Sequence, residues 1–298
     1  MKTLIIKLGA TGDVVRTTTL IEVLKDEIYW ITSDQNLIML EGHPKIAECI
    51  PWSNAQKLKG NYYDLVINLE DSIEIAKFLR QINYATIFGA YLDNSDGLTY
   101  TEDSKEWFDL SLISRFGKEK ADNLKYKNRK SYQEIIFKCL GYEFKGEKYY
   151  LPFVERSSLS GDIAIADKSG DVWPMKVWAH YEKLKYELEK LGYIVNILPL
   201  RKNITEHIAD IKNHKLLIGG DSLPMHIALG QNINCITIFQ CTSPWEIYGY
   251  GIQKKIISPL LKKYFYKRDF KVEAVNCISL REVKDFVIET IKNTMSNN

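Results

Sequence analysis

Several features that would specialise a chain are scarce or missing here. The five cysteines (Cys49, Cys139, Cys235, Cys241 and Cys277) are odd in number, scattered, and never set out as C-x-x-C. That argues against a disulfide framework or a cysteine zinc site and points to a reducing, cytoplasmic compartment. No stretch approaches the roughly 18 uninterrupted apolar residues of a membrane span. An excess of one charge is also lacking: Lys+Arg 40 against Asp+Glu 38 leaves +2, no field that would commit the chain to nucleic acid. H-E-x-x-H, P-loop and G-x-S-x-G patterns are absent. No complete G-x-G-x-x-G opens either half of the chain, which disfavours a dinucleotide-dependent oxidoreductase. There is no internal repeat and no low-complexity tract. What remains is ordinary globular material: 298 residues, 45% hydrophobic and 26% charged, enough for about two domains.

Short β-branched runs alternate with segments of helical period, the pattern of βαβ units around parallel sheets. The opening run, Thr3–Leu8, is broken by Lys7 and soon reaches Asp13; it reads as a first strand, not a signal peptide. Further strands are expected at Glu27–Thr32, Leu65–Leu69 and Thr86–Gly89, with helices at Val14–Asp26, Ile73–Ile82 and Ser131–Leu140 and a loop over residues 93–106. The small polar stretch 155–161 is the expected joint. A second series then runs through strands Asp162–Ala166, Tyr193–Leu198, Lys215–Ile218 and Cys235–Phe239. Its helices are expected at Val177–Leu191, Ile204–Ile211, Pro224–Leu229 and Leu280–Thr294. The reading is an α/β chain: two Rossmann-like domains with mostly parallel sheets facing across a cleft, residues 1–155 and 162–298. The last helix is free to pack back on the first domain.

Three segments suit chemistry. Gly9-Ala10-Thr11-Gly12-Asp13 follows the first strand and precedes a helix, so glycines allow close backbone approach and helix N–H groups face an anion. Asp13 fits equally a helix N-cap and a ligand-facing carboxylate at the carboxyl end of a strand. Gly219-Gly220-Asp221-Ser222-Leu223-Pro224-Met225-His226 repeats that strand-to-helix setting; here Asp221 repels a phosphate, so Ser222 and backbone N–H groups must attract it. His226 alone reads more simply as a buried, satisfied imidazole. In Trp173-Pro174-Met175-Lys176-Val177-Trp178, a lysine at a helix start opposes the macrodipole unless an anion sits there. Residues 254–271 hold seven basic residues and one acidic one, with Tyr264, Phe265, Tyr266 and Phe270 between them. Such a surface suits peripheral contact with an anionic membrane face.

Taken in order, these segments resemble glycosyltransferase family 9, the ADP-heptose–lipopolysaccharide heptosyltransferases. Leu4–Val15 is similar to the family's strand–loop–G-D opening, and Tyr63-Asp64-Leu65-Val66-Ile67-Asn68-Leu69 to its Y-D-L strand. Trp173–Trp178 resembles its W-P-x-K-x-W block, and Gly220–Ala228 its G-x-D-[ST]-G-P-M-H-x-A block. Thr242-Ser243-Pro244-Trp245 resembles the T-[DS]-P turn. The resemblance implies a GT-B architecture, acceptor on the first domain, ADP-sugar on the second, and inverting transfer without a metal or other cofactor. It implies Asp13 as general base, with Gly12, Trp173, Lys176, Gly220, Asp221, Ser222, Leu223, His226 and Thr242 at the donor. The expected acceptor is a glycan, lipid-linked or protein hydroxyl, as in lipopolysaccharide biosynthesis.

This chain departs from the pattern at Leu223, where the family has glycine, and at Gln240-Cys241, where Gly-Pro is common. The segment between Leu198 and His207 lacks the acidic residue expected at the ribose, for which Glu206 is a poor substitute. A different NDP-sugar, a natural-product acceptor, and an inactive nucleotide-sugar-binding protein on the same fold all stay open at this stage.

Overall fold

The computed structural model describes residues 1–25, 27–155 and 157–296. The chain divides into two compact units, Met1–Pro152 and Phe153–Asn298.

In the first unit the apolar runs pair as strands: β1 (Lys2–Ile6), β2 (Glu27–Thr32), β3 (Ile46–Pro51), β4 (Tyr62–Asn68), β5 (Asn83–Leu92) and β6 (Leu98–Tyr100). Their order is β3-β2-β1-β4-β5-β6. All neighbours are parallel except β5 and β6. Both faces are buried, as a parallel sheet requires. Along β1, Leu4 and Ile6 enter one apolar cluster with Phe78 and Leu79, while Ile5 enters another with Val14 and Ile136. Each such side chain, fully withdrawn from water, contributes about 1.5–3 kcal/mol.

The second unit carries β7 (Gly161–Ala166), β8 (Val195–Ile197), β9 (His214–Gly220), β10 (Asn234–Phe239) and β11 (Gln253–Ile257), all parallel, in the order β11-β10-β9-β7-β8. The α/β class with two mostly parallel sheets is thus as expected. The final helix, Leu280–Ser296, puts Val283, Val287 and Ile291 into the core of its own unit beside Ile163 and Leu216.

Several boundaries differ from the sequence reading. The first helix runs over Thr11–Thr17, and a further turn covers Leu20–Val23; the expected end at Asp26 lies outside the described residues. The break falls at Thr17-Thr18-Thr19, whose hydroxyls donate to the carbonyls of Asp13 (2.6 Å), Val15 (2.6 Å) and Arg16 (2.9 Å). Such back-bonding competes with the helical ladder. The helix expected from Val177 begins at Tyr181, because Trp178 is withdrawn into the core and its Nε1 donates to the Ile278 carbonyl at 3.0 Å. Strands β3, β6 and β11 were not legible; β6 lies inside the expected loop.

Candidate functional site

In an open α/β sheet, ligands gather at the carboxyl ends of strands where the strand order reverses. Each sheet has one such point. In the first, the chain runs outward through β2 and β3 and then crosses to β4, so the reversal lies between β1 and β4. In the second it lies between β7 and β9. The residues singled out from the sequence follow β1, β7 and β9, with Thr242 just past β10.

At the β1/β4 reversal, Lys7 Nζ meets Glu70 Oε1 at 2.8 Å, and the same oxygen accepts the Leu8 N–H at 2.7 Å. Burial pulls the Lys7 amine down, but Glu70 and Asp13 outweigh it and hold its pKa above the ordinary value. Asp13 is the third residue of the helix Thr11–Thr17, not its cap: Ala10 holds the cap position and supplies no side-chain bond. The capping reading of Asp13 therefore fails. Its Oδ1 instead meets Arg16 Nη2 at 2.9 Å. The Arg16 guanidinium is nearly buried and lies 4.2 Å from the Tyr132 ring centroid, with Trp107 at 5.8 Å. Burial pushes the Tyr132 phenol up, against the opposing pull of Arg16 and Lys7. The result is a carboxylate with 35% of its side chain exposed, aimed by a rigid cation. Gly12, expected at the donor, sits in this unit as the residue before Asp13.

At the β7/β9 reversal, Lys176 Nζ meets Asp221 Oδ2 at 3.2 Å, with 17% and 13% of the two side chains exposed. Burial alone would push the Asp221 carboxyl up. Lys176 and His226 reverse this by charge, with the Thr242 side chain close by, and the pKa is held below the usual carboxylate range. Four predicted residues from three separate segments thus share one place. Gly220 lets them do so, since a Cβ there would lie 2.3 Å from the Lys176 carbonyl oxygen. Lys176 closes a short turn, Pro174–Lys176, and does not begin the long helix, so the opposition to a macrodipole disappears. Ser222 holds the cap position of the helix Leu223–Gly230 but caps nothing; its hydroxyl faces the Gly220 carbonyl at 3.5 Å. Leu223 is the first residue of that helix. Trp173 accepts the Lys176 N–H at its carbonyl (3.0 Å) and turns its ring to Tyr266, with Arg268 5.2 Å from the centroid. Glu206 faces Arg201 at 3.9 Å.

The sequence reading missed Lys7, Glu70 and Arg16 as site residues, and took Lys255 only as part of a basic run. Lys7 and Glu70 did carry a signal, being charged groups at the ends of otherwise apolar strands. Of the basic run, Lys254 pairs with Glu289 and Lys263 with Glu273, while Lys262, Lys267, Arg268 and Lys271 are exposed, as is Phe270. Among the described residues, no group of three or more His, Cys, Asp or Glu could hold a metal ion, and no helix is long and apolar enough to cross a membrane.

Residues 173–272 match the model of glycosyltransferase family 9 (heptosyltransferase), so this stretch, which contains the Lys176–Asp221 site, is a glycosyltransferase domain. No curated protein matches the sequence. Among solved structures, a glycosyl transferase family 9 protein from Veillonella parvula is 16% identical, with 98% of this chain and 97% of that one covered and a TM-score of 0.66. The E. coli heptosyltransferase WaaC with ADP-2-deoxy-2-fluoro heptose is 16% identical, with 97% and 99% covered and a TM-score of 0.60. The iron-containing dodecameric glycosyltransferase TibC of enterotoxigenic E. coli is 11% identical, with 99% and 76% covered and a TM-score of 0.59. At these identities the likeness is one of fold, here GT-B-like.

Proposed function

We propose that the protein transfers a heptose or related sugar from an ADP-sugar to an acceptor hydroxyl, with inversion, in lipopolysaccharide or other glycan assembly. The observation that carries this reading is the convergence of Lys176, Asp221, His226 and Thr242 at the strand-order reversal of a glycosyltransferase family 9 domain. The leaving diphosphate gains negative charge as the glycosidic bond breaks. The Lys176 ammonium, the Ser222 hydroxyl and the uncapped start of the helix Leu223–Gly230 suit that charge without rearrangement. The ADP-sugar assignment draws on the WaaC complex, which holds an ADP-heptose analogue.

The acceptor hydroxyl is a very weak acid, and a carboxylate must take its proton as the new bond forms. We assign that role to Asp13, which Arg16 orients and whose side chain keeps an exposed edge. The first unit is accordingly the acceptor domain and the second the donor domain. The reading includes transfer without a metal: activity should survive exhaustive EDTA treatment, and its loss with recovery on adding iron or another divalent ion would refute that part. It also includes peripheral contact of the exposed cations near Phe270 with an anionic cytoplasmic membrane face.

Calorimetry with ADP, UDP, GDP and NAD tests the central claim. ADP should bind in preference to the other three, and NAD should not bind. A preference for UDP or GDP would keep the transferase and change the donor. Tight NAD binding would refute the reading.

A further inference from the structure

Lys255 lies on β11, at the edge of the second sheet, in register with Thr237 of β10. Its neighbours serve the other face: Lys254 Nζ meets Glu289 Oε1 at 2.7 Å, and Ile256 joins the core beneath the helix Leu280–Ser296. Side chains alternate along a strand, so Lys255 projects from the opposite face. There its Nζ donates to the carbonyl oxygens of Pro244 and Ile247, each at 2.6 Å. The turn so tied follows Thr242, whose side chain lies close to the Asp221 carboxylate. Lys255 thus holds the main chain that directly follows Thr242.

The electrostatics of this position are unbalanced. A cation withdrawn from water is costly unless it is paired, and the partners of half-buried Lys255 are two neutral carbonyls. Burial pushes its pKa down to about 8, against the opposing influence of Asp221 and Cys235. Neither offers full compensation. Burial pushes the Cys235 thiol up to about 12, so it is neutral at physiological pH. Asp221 already serves Lys176 and His226. Glu246, within the turn, lies by the Tyr266 hydroxyl at 3.4 Å. A second anion at Asp221's side of the turn would complete the arrangement, and a diphosphate is such an anion.

We propose that Lys255 is a second, half-buried cation of the donor site, which fixes the Pro244–Ile247 turn and whose charge is completed by the donor diphosphate, so that nucleotide binding draws a proton onto this amine. The inference rests on the donor-site reading above. Its sign follows from linkage: a ligand that favours the ammonium binds with proton uptake, and its affinity falls as pH rises past about 8.

The test is calorimetry of ADP binding at pH 8 in buffers of different ionisation enthalpy. The phosphates contribute little there, their second pKa being about 6. Wild-type protein should take up about half a proton per ADP, since about half of the amines are neutral at that pH. Lys255→Arg keeps a permanent charge; it should bind ADP within a few-fold of wild type and take up no proton. Lys255→Met should bind at least tenfold more weakly at pH 7 and lose the pH dependence between 7.5 and 9. If the Met variant fails to fold by circular dichroism, the wild-type and Arg measurements still decide. Wild-type binding without proton uptake, or equal uptake in the Arg variant, overturns the inference and leaves the donor site standing. Failure of wild-type protein to bind ADP at all would instead remove the donor-site reading, and this inference with it.

Discussion

Replacing Asp13 by Asn isolates its chemistry from its structural role. Because Ala10, not Asp13, occupies the cap position, no helix cap is lost. What is lost is the pair with Arg16 at 2.9 Å, of which the carboxylate side is 35% exposed. A partly exposed pair of this kind is worth about 1 kcal/mol. Arg16 also keeps its place over Tyr132 through the cation–π contact at 4.2 Å. The expected change is therefore a Tm lowered by about 2–4 °C. That leaves the folded population essentially complete, since domains have about 5–15 kcal/mol in hand. Removing a general base, by contrast, costs about 10²–10⁴ in rate, or about 2.7–5.4 kcal/mol in the barrier. Release of ADP from ADP-heptose, measured with a lipopolysaccharide-core acceptor, should fall by that factor while the donor Kd stays within twofold. Arg16→Met, which leaves the carboxylate but frees its orientation, should lose less rate and retain the acid limb of the pH profile. An Asn variant with wild-type turnover would refute the assignment. So would a Tm loss large enough to account for the missing activity.

The donor side makes its own predictions. Lys176→Ala and Ser222→Ala should each weaken ADP binding about tenfold or more, because a hydrogen bond to a charged group is worth about 1.5–3 kcal/mol. Unchanged affinity in both variants by calorimetry would move the site elsewhere. In the second unit, Arg201 grips the buried Asp210 carboxylate with two bonds, Nε at 2.7 Å and Nη2 at 3.0 Å. Burial alone would push the Asp210 pKa up, but Arg201 and the Ser157 hydroxyl hold it below the usual carboxylate value. This stabilisation is present above the ordinary carboxylate range and is lost as pH falls through the lowered pKa. Arg201→Met should thus lower Tm and shift acid unfolding to higher pH; an unchanged acid-unfolding curve would count against the pairing. Finally, Lys267→Glu with Lys271→Glu should abolish co-sedimentation with phosphatidylglycerol vesicles while leaving the donor Kd intact, and sedimentation indifferent to lipid charge and salt would remove the membrane contact.

Periodicity and turn chemistry carried most of the architecture, because strands buried on both faces read as apolar runs whatever surrounds them. They located the two glycine turns and hence Asp13, Asp221 and His226, while Lys176 was marked by the Trp173–Trp178 segment. Strand order was not legible, and with it went Glu70: nothing local says that β4 pairs with β1. Strands β3 and β11 were hidden by their composition, Ile46–Pro51 carrying Glu48 and Pro51, and Gln253–Ile257 opening with three polar residues. The inward course of Lys255 depends on that unseen strand. The early end of the first helix was written in three consecutive threonines, whose hydroxyls compete for the backbone.

The contact of Glu70 with the first glycine turn closes a loop of 62 residues, measured to Leu8. On a ribosome adding about 5–20 residues per second, Lys7 is made roughly 3–12 s before its partner exists. Through that interval the β4-facing edge of β1, Leu4-Ile5-Ile6, has no partner, even once β2 has docked on its other edge. The ammonium at its end is then a fully solvated charge, the kind that discourages intermolecular strand pairing. Only when β4 docks does this charge become half of an internal ion pair. One lysine would therefore guard the growing strand first, and in the finished molecule it holds the Glu70 carboxylate that accepts the Leu8 N–H. A neutral replacement would lower the yield of folded protein during synthesis by more than its effect on the finished molecule.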